Sequence, residues 1–350
     1  MMVDTSFADT LLKWYFQNKR ELPWRDTHNP YYIWLSEVIL QQTRIAQGWA
    51  YWERFVNRFP TVEALAQATE DEVLLLWQGL GYYSRARNLH HAARQIVGMG
   101  YFPHTMEEIK SLKGVGDYTA AAIGSMAFDL PVAVVDGNVY RVLSRYFGID
   151  TPINTTEGKK LFQELAQTLL PTMQAANFNQ AMMDFGAIQC TPSSPKCLLC
   201  PFTEGCDALR TGRVSSLPVK LKTTKVKTRH FHYYYIRHHG QVAMHKRGEG
   251  DIWQGLWEPY LEENVESLGK EPVAPTDSSS FILHSSFQKE VLLRKDVRHV
   301  LTHRIILADF SLVEVDEKIP LPEGYVWIPE EHLQDYAVPR LVQMLLEECL

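Results

Sequence analysis

Two carboxyl groups have surroundings that suit acid catalysis. Glu37 is the one charged residue of the apolar stretch IWLSEVILQQT at 33–43. Burial in a helix of this kind raises the pKa of a glutamate above its ordinary value of about 4.3 and keeps it protonated as a general acid. A glutamate on the helix surface is the alternative. Asp136 precedes Gly-Asn, so it is either an N-cap or a catalytic carboxylate. Together they suggest the acid and the ionised carboxylate that cleave a glycosidic bond.

The cysteines form a second group that could do chemistry. Four of the five lie within seventeen residues in the pattern C-x6-C-x2-C-x5-C, namely Cys190, Cys197, Cys200 and Cys206. Such clustering in a cytosolic chain favours a metal centre over disulfides. Four thiolates bind either structural zinc or an iron–sulfur cluster, and the six-two-five spacing differs from the paired C-x2-C of zinc ribbons.

A tight turn precedes Asp136 in the sequence. In LKGVG at 112–116, Gly114 and Gly116 flank Val115, and Tyr118 follows at the start of a helical pattern. Small residues let backbone amides approach an anion, and a helix N-terminus attracts phosphate. The pattern therefore predicts either a phosphate-binding helix–hairpin–helix turn or an ordinary turn between helices.

The elements that position these residues fall into two domains. Residues 1–213 read as helix after helix with short breakers, which predicts a nearly all-α domain ending in the cysteine loop at 190–206. Residues 214–230 carry five basic and no acidic side chains and predict an exposed linker, either a solvated tether or a phosphate contact. Residues 231–350 combine a hairpin signature and a strand-like stretch at 297–315 with a helical end, which predicts an α+β domain.

Net charge and hydropathy limit how the protein could bind nucleic acid or a membrane. The net charge is −6, divided into −2 over 1–213, +5 over 214–230 and −9 over 231–350, so any grip on nucleic acid must be local. No apolar run approaches the length of a membrane span, and the first residues do not resemble a secretory signal. We therefore expect a cytoplasmic protein without a membrane partner.

Several segments together resemble one family. They are WLSEVILQQT at 34–43, GLGYYSR at 79–85, VDGN at 135–138 and FNQAMMD at 178–184, with the cysteine loop and the glycine turn. The chain resembles the adenine DNA glycosylases (MutY) of the helix–hairpin–helix DNA glycosylase superfamily. This implies base excision repair by hydrolysis of the bond to adenine mispaired with 8-oxoguanine or guanine in double-stranded DNA. It also implies a monomer with a 4Fe–4S cluster on the four cysteines and phosphate contacts at Gly114, Val115 and Gly116.

The resemblance also implies roles for individual residues. Glu37 would protonate adenine N7 or a catalytic water, and Asp136, helped by Asn138, would stabilise the oxocarbenium ion or a transient sugar adduct. Tyr118 stands where bifunctional relatives carry a Schiff-base lysine, which a phenol cannot replace, so the enzyme is expected to be monofunctional. The adenine-pocket candidates are Arg20, Leu22, Trp24, Arg25, Leu40, Gln180 and Met183. Gln42 and Tyr82 are expected to enter the double helix beside the lesion.

The second domain resembles the family's Nudix-like C-terminal domain, beginning at HKRGEGDIWQGLWEP from His245. It lacks the carboxylate-rich helix of a Nudix pyrophosphatase, so we expect it to recognise 8-oxoguanine. The family's F-S-H loop corresponds to HVLTHR at 299–304, which makes Leu301, Thr302 and His303 lesion-contact candidates. Leucine replaces phenylalanine here, and threonine replaces serine.

Three alternative functions are also compatible with the general features of the sequence. A bifunctional endonuclease III-like enzyme is disfavoured by Tyr118 and by the second domain. A mismatch-sensing module without catalysis is disfavoured because both Glu37 and Asp136 are present. A nucleotide pyrophosphatase is disfavoured by the missing carboxylate-rich helix.

Overall fold

The computed structural model describes residues 5–222, 226–264 and 289–350. The chain divides into two compact units: one holds 1–67 and 88–222, and the other holds 68–87 and 223–350. Residues 68–87 therefore group with the C-terminal part of the chain. The first strand begins at Lys227, inside the stretch expected to be a linker, of which 223–225 lie outside the described residues.

The N-terminal part is nearly all helical, which confirms its expected class. Its helices are α1 (Thr5–Asn18), α2 (Pro30–Leu40), α3 (Ile45–Arg58), α4 (Val62–Gln67), α5 (Glu70–Trp77), α6 (Ser84–Met99), α7 (Met106–Ser111), α8 (Asp117–Phe128), α9 (Gly137–Phe147), α10 (Thr156–Leu169), α11 (Ala175–Asp184) and α12 (Asp207–Arg210). Helix α5 and the start of α6 belong to the second unit. A π-helical turn, Phe185–Gln189, continues α11 towards the cysteine loop.

Helix α2 is the central helix of the first unit. Every residue from Ile33 to Ile39 is buried, so this helix is apolar all round, as a core helix must be. It packs against α8, whose small residues at 120–122 allow close approach. A second core joins α1, α9, α10 and α11 around Phe162 and Phe178. Glu37 is therefore carried on a rigid, buried element.

Among its described residues, the second unit contains a six-stranded mixed sheet in the order β4-β5-β1-β3-β2-β6. Its strands are β1 (Lys227–His238), β2 (Gln241–Lys246), β3 (Trp257–Asn264), β4 (Lys289–Val300), β5 (Arg304–Glu314) and β6 (Tyr325–Pro329). Strands β1 and β5 pair in parallel, and the other pairs are antiparallel. Helix α13 (Arg340–Cys349) packs Leu341, Val342 and Leu345 into the core with the inward side chains of the sheet. This confirms the α+β, Nudix-like expectation.

Within 5–222, 226–264 and 289–350, every helix is too short or too polar to cross a bilayer.

Candidate active site

The first group of the site is an acid held by a phenol. The Tyr118 hydroxyl, at the start of α8, donates a 2.7 Å hydrogen bond to Glu37 Oε2. Glu37 is buried, and burial raises its pKa to about 7, against the lowering effects of this hydrogen bond and of the Arg25 charge. Burial also raises the pKa of Tyr118 well above its ordinary value, so the phenol stays a donor. A carboxyl with a pKa near 7 can deliver a proton at neutral pH.

The second group is a carboxylate held at a helix N-terminus. Asp136 Oδ1 accepts from the N–H groups of Asn138 (2.9 Å) and Val139 (2.8 Å), and Oδ2 accepts from Asn138 Nδ2 (2.7 Å). Burial raises the pKa of Asp136, while these donors oppose the rise by stabilising the ionised form. The N-cap and the catalytic interpretations are therefore compatible. Asp136 also raises the pKa of Glu37, so the two carboxyl groups act on each other electrostatically.

A guanidinium network holds Asn138 in place. Arg141 Nη2 donates to Asn138 Oδ1 (2.8 Å), and Arg141 Nε donates to the carbonyl oxygen of Cys190 (2.7 Å). The same side chain contacts the Gly186 carbonyl at 2.6 Å. Asn138 thus has a fixed amide orientation, with its Nδ2 directed at Asp136, and the cysteine loop is tied to α9.

Two of the pocket candidates have a buried counter-ion that sequence reasoning missed. Arg25 Nη1 and Nη2 donate to Asp184 at 2.6 and 2.7 Å, and Arg20 Nε donates to the same carboxylate at 2.8 Å. Although burial favours the neutral acid, the hydrogen bonds from Arg25 and Arg20 hold the pKa of Asp184 below its ordinary value. Asp184 therefore offsets one of the two positive charges of Arg20 and Arg25 before any substrate binds. Asp184 lies within the FNQAMMD segment, and that segment was the sequence signal from which its role could have been inferred.

A cavity adjoins these arginines. It has a volume of about 380 Å³, and its lining includes Arg20, Arg25, Gln180 and Tyr15 but not Glu37. The Tyr15 hydroxyl donates to Gln180 Oε1 (2.7 Å) in a buried position. This hydrogen bond fixes the amide orientation of Gln180 and leaves its NH₂ donors and the second lone pair of Oε1 for other partners. Sequence reasoning did not identify Tyr15, whose partner is 165 residues away.

The remaining pocket candidates differ in their surroundings. The Met183 sulfur lies 3.7 Å from the Tyr118 hydroxyl, so this side chain contacts the phenol that is hydrogen-bonded to Glu37. Leu22 is buried, and the Trp24 ring packs against the rings of Trp49 and Trp52, as core residues do. Leu40 ends α2 one turn after Glu37.

The glycine turn joins α7 to α8 as the helix–hairpin–helix pattern requires. Gly114 has φ +79°, and a Cβ there would lie 2.7 Å from Asn88 Cβ, so both the conformation and the packing demand glycine. Gly116 is the N-cap of α8 with an extended backbone, and a Cβ there would meet no atom within 4 Å. Val115 is buried beneath the turn. The first N–H groups of α8, which have no intrahelical partner, therefore face an open surface.

The two residues expected to enter the DNA share an unusual backbone. Gln42 has φ +57° and Tyr82 has φ +48°, in the left-handed region that side-chain-bearing residues seldom adopt. The Tyr82 side chain is 46% exposed. Strained, exposed residues of this kind concentrate at functional sites.

The second unit contains a separate cavity, of about 480 Å³, where the lesion-contact candidates meet Tyr82. Leu301, Thr302 and His303 all line it, and the Tyr82 and Thr302 hydroxyls are hydrogen-bonded to each other. These three residues form the turn between β4 and β5, whereas the sequence predicted a continuous strand from 297 to 315. The pairing of Thr302 with Tyr82 was not foreseen.

The four cysteines line one cavity, as the cluster hypothesis requires. Arg145 Nη1 lies 3.4 Å from Cys190 Sγ, where a cation stabilises a thiolate. No group of three or more His, Cys, Asp or Glu side chains among the described residues forms a site for a metal ion. Cysteine thiolates are the usual ligands of a 4Fe–4S cluster. The donor set fits such a cluster.

Both parts of the chain match known domain families. Residues 35–168 match the HhH-GPD superfamily of base excision DNA repair proteins, and residues 232–348 match the NUDIX domain. A thermostable thymine-DNA glycosylase aligns with a TM-score of 0.55 and 32% identity over 59% of this chain and 96% of its own. A non-covalent endonuclease III–DNA complex aligns with a TM-score of 0.51 and 22% identity over 59% and 95%, which shows a shared fold. The fold and site thus define a helix–hairpin–helix DNA glycosylase with a Nudix-like second domain.

Proteins of similar sequence identify the family within this class of DNA glycosylases. The adenine DNA glycosylase of Buchnera aphidicola subsp. Schizaphis graminum is 31% identical over 350 residues, covering 97% of this chain and 98% of its own. Those of mouse and human are each 43% identical, over 61% and 58% of this chain and 44% and 39% of their own. The chain belongs to the adenine DNA glycosylase family. It is an enzyme of base excision repair that acts on N-glycosyl bonds.

Proposed function

We propose that the protein removes adenine paired with 8-oxoguanine, and with guanine, by hydrolysis without cutting the strand. One observation carries the proposal: a buried glutamic acid with a pKa near 7 is hydrogen-bonded by a phenol at the position of the Schiff-base lysine. This arrangement supplies a proton for the leaving base but no amine to attack the sugar. The site therefore favours a monofunctional glycosylase.

The chemistry follows from the two carboxyl groups. Glu37 donates its proton to a ring nitrogen of adenine as the bond between N9 and C1′ breaks and its electrons pass to the base. Asp136, whose three donors favour its ionised form, faces the positive charge that develops on the sugar. Water then adds to C1′ and returns a proton to the Glu37 carboxylate, which leaves an abasic site. General acid catalysis of this kind contributes roughly a hundredfold or more.

Two further features support action on double-stranded DNA. The open N-terminus of α8 behind Gly114 and Gly116 suits a phosphate, and the strained Gln42 and Tyr82 suit insertion beside a flipped nucleotide. Thr302, held by Tyr82, keeps the hydroxyl of the family's lesion-reading loop. The DNA contacts are local, as the negative net charge requires. We expect a monomer that acts on chromosomal DNA in the cytoplasm.

The cysteine loop is proposed to hold a 4Fe–4S cluster on Cys190, Cys197, Cys200 and Cys206. The cluster binds its four thiolates and so fixes the loop, while Arg145 and Arg141 attach that loop to α9. A structural zinc ion is the alternative outcome. Iron content and the brown colour of anaerobically purified protein decide between them.

Single-turnover incubation with a duplex containing one A·8-oxoguanine pair tests the proposal. Strand scission at the adenine position only after alkali is expected; scission without alkali would mean that another residue acts as a lyase. Duplexes with A·G and T·G pairs complete the set, because one structural neighbour is a thymine-DNA glycosylase. Tight binding without any base removal would favour the mismatch-sensing alternative.

Substitutions of Glu37 and Asp136 test the catalytic roles of these two carboxyl groups. Glu37→Gln and Asp136→Asn should each remove most of the activity, about a hundredfold or more, while binding to the mispair persists. Near-normal single-turnover rates in either variant would contradict the role of that residue. Asp9→Asn, at an exposed carboxylate on α1, is the control and should keep the wild-type rate.

A further inference from the structure

The turn between β4 and β5 is closed by Arg304. The Leu301 N–H donates to the Arg304 carbonyl oxygen (2.8 Å), so Thr302 and His303 form the tip of a tight turn. The Lys227 N–H donates to the His303 carbonyl oxygen (3.1 Å) and ties the turn to β1. Arg304 is the first residue of β5, directly after the lesion-contact candidates, and sequence reasoning gave it no role.

The Arg304 side chain is held at the cavity by a shared carboxylate. Arg304 Nη1 donates to Asp251 Oδ1 (2.7 Å), and the same carboxylate accepts from Arg229 (2.6 and 2.7 Å) and Arg247 (2.7 Å). Although burial opposes ionisation, these hydrogen bonds hold the pKa of Asp251 well below its ordinary value, so it stays charged. Arg229 and Arg247 each have a second carboxylate partner, Glu263 and Glu258 respectively. Arg304 has only Asp251 among the described residues.

The cavity brings this cation next to the lesion-reading hydroxyl. Asp251, Thr302, Arg304 and Tyr82 all line the space of about 480 Å³ described above, a size that suits a small ligand. In the described part of the chain, the side-chain hydrogen bonds of Arg304 use Nη1 alone, and about a third of its side chain is exposed. Its Nε and Nη2 donors therefore remain available to a ligand in the cavity.

We propose that Arg304, positioned by Asp251, is a specificity residue that donates a hydrogen bond to the C8 carbonyl oxygen of 8-oxoguanine opposite the adenine. This rests on the proposed function. The guanidinium has donors only, whereas the Thr302 hydroxyl can also accept and so suits the N7–H that oxidation creates. Unmodified guanine has no oxygen at C8, and its N7 is an acceptor. The two side chains together would thus distinguish the oxidised base from guanine, even though leucine stands in place of the family's phenylalanine.

The test is the preference of Arg304→Gln for oxidised over unmodified guanine. Dissociation constants and single-turnover rates are measured on duplexes of one sequence with A·8-oxoguanine or A·G. We expect the ratio of the two affinities to fall about tenfold, as for loss of one base-edge contact. Arg294→Gln is the matched control, since Arg294 lies on β4 and forms an exposed pair with Glu348. It should leave the ratio unchanged.

Other outcomes overturn the inference. An equal loss on both duplexes together with a weaker salt dependence would identify a phosphate contact, and an equal loss with a lower melting temperature would identify a purely structural ion pair. An unchanged ratio in a folded Arg304→Gln variant removes Arg304 from recognition while the proposed function stands. If the wild-type protein fails to remove adenine opposite 8-oxoguanine, the proposed function itself fails.

A double-mutant cycle tests the positioning role of Asp251. Asp251→Asn should lower the same affinity ratio, and adding it to Arg304→Gln should lower the ratio no further, because the two residues act as a unit. Any general destabilisation from freeing Arg229 and Arg247 affects both duplexes alike and cancels in the ratio. Additive effects on the ratio would show that Asp251 does not act through Arg304.

Discussion

Replacing Tyr118 with phenylalanine removes the hydrogen bond that lowers the pKa of the catalytic acid. The phenol donates to Glu37 over 2.7 Å and so favours the ionised carboxylate. Without it, the pKa of Glu37 rises above its present value of about 7. A hydrogen bond to a charged group contributes about 1.5–3 kcal/mol, and one pH unit corresponds to about 1.4 kcal/mol, so the pKa should rise by about one to two pH units.

The pH dependence of base removal measures this change. Glu37 must be protonated to act, so the single-turnover rate falls on the alkaline side as pH passes its pKa, whereas the acid side reports the protonation of Asp136. Tyr118→Phe should move the alkaline limb upward by about one to two pH units and leave the acid limb in place. An alkaline limb that stays where it is, or moves downward, would refute the assignment of Glu37 as the proton donor.

A second tyrosine provides the control. Tyr31 is also buried and lies in the first turn of α2, but its hydroxyl donates to the Phe59 carbonyl oxygen rather than to Glu37. Tyr31→Phe should lower the stability of the fold without moving either limb of the profile. A shift of the alkaline limb in this variant would mean that the limb reports the stability of the protein, not the ionisation of the acid.

Three further changes have expected outcomes. Glu37→Gln should stabilise the protein above pH 7 by about 3 kcal/mol and change its stability little below pH 4.5. The reason is that folding raises the pKa of this buried acid from 4.5 to about 7, so its ionisation opposes folding. Denaturant unfolding at both pH values measures the difference. Asp184→Asn strands the guanidinium groups of Arg20 and Arg25 and should cost about 3–5 kcal/mol, seen as a lower melting temperature with reduced base removal. Cys200→Ser should lower the iron content per chain and weaken DNA binding, while a variant with full iron would contradict its role as a ligand.

Much of the fold could be predicted because the decisive signals are local. Helix α2 is apolar on all sides, the turn at 112–116 needs Gly114 at positive φ, and the cysteines share one short loop. The hairpin of β1 and β2 follows from its turn residues. The break between β4 and β5 was missed because Leu301 and Thr302 are compatible with a strand, and the turn depends on a hydrogen bond to Arg304.

Partners distant in the chain could not be predicted. Arg20 and Arg25 read as substrate contacts, but their counter-ion Asp184 lies about 160 residues later in the sequence. Tyr82 and Thr302 are 220 residues apart, and Tyr15 and Gln180 are 165 residues apart. Periodicity and spacing say which residues share an element, whereas these contacts depend on how the elements pack.

Asp184, Asp136 and Glu37 show why such contacts matter for catalysis. Asp184 accepts from two guanidinium groups and is held ionised; Asp136 accepts from two backbone N–H groups and an amide; Glu37 accepts one hydrogen bond, from a neutral phenol. Accordingly, the pKa of Asp184 lies below its ordinary value, whereas the pKa values of Asp136 and Glu37 lie above theirs. A structural counter-ion, a stabiliser of positive charge and a proton donor are thereby made from the same chemical group. Adding a full cation beside Glu37 would stabilise the fold and remove the acid.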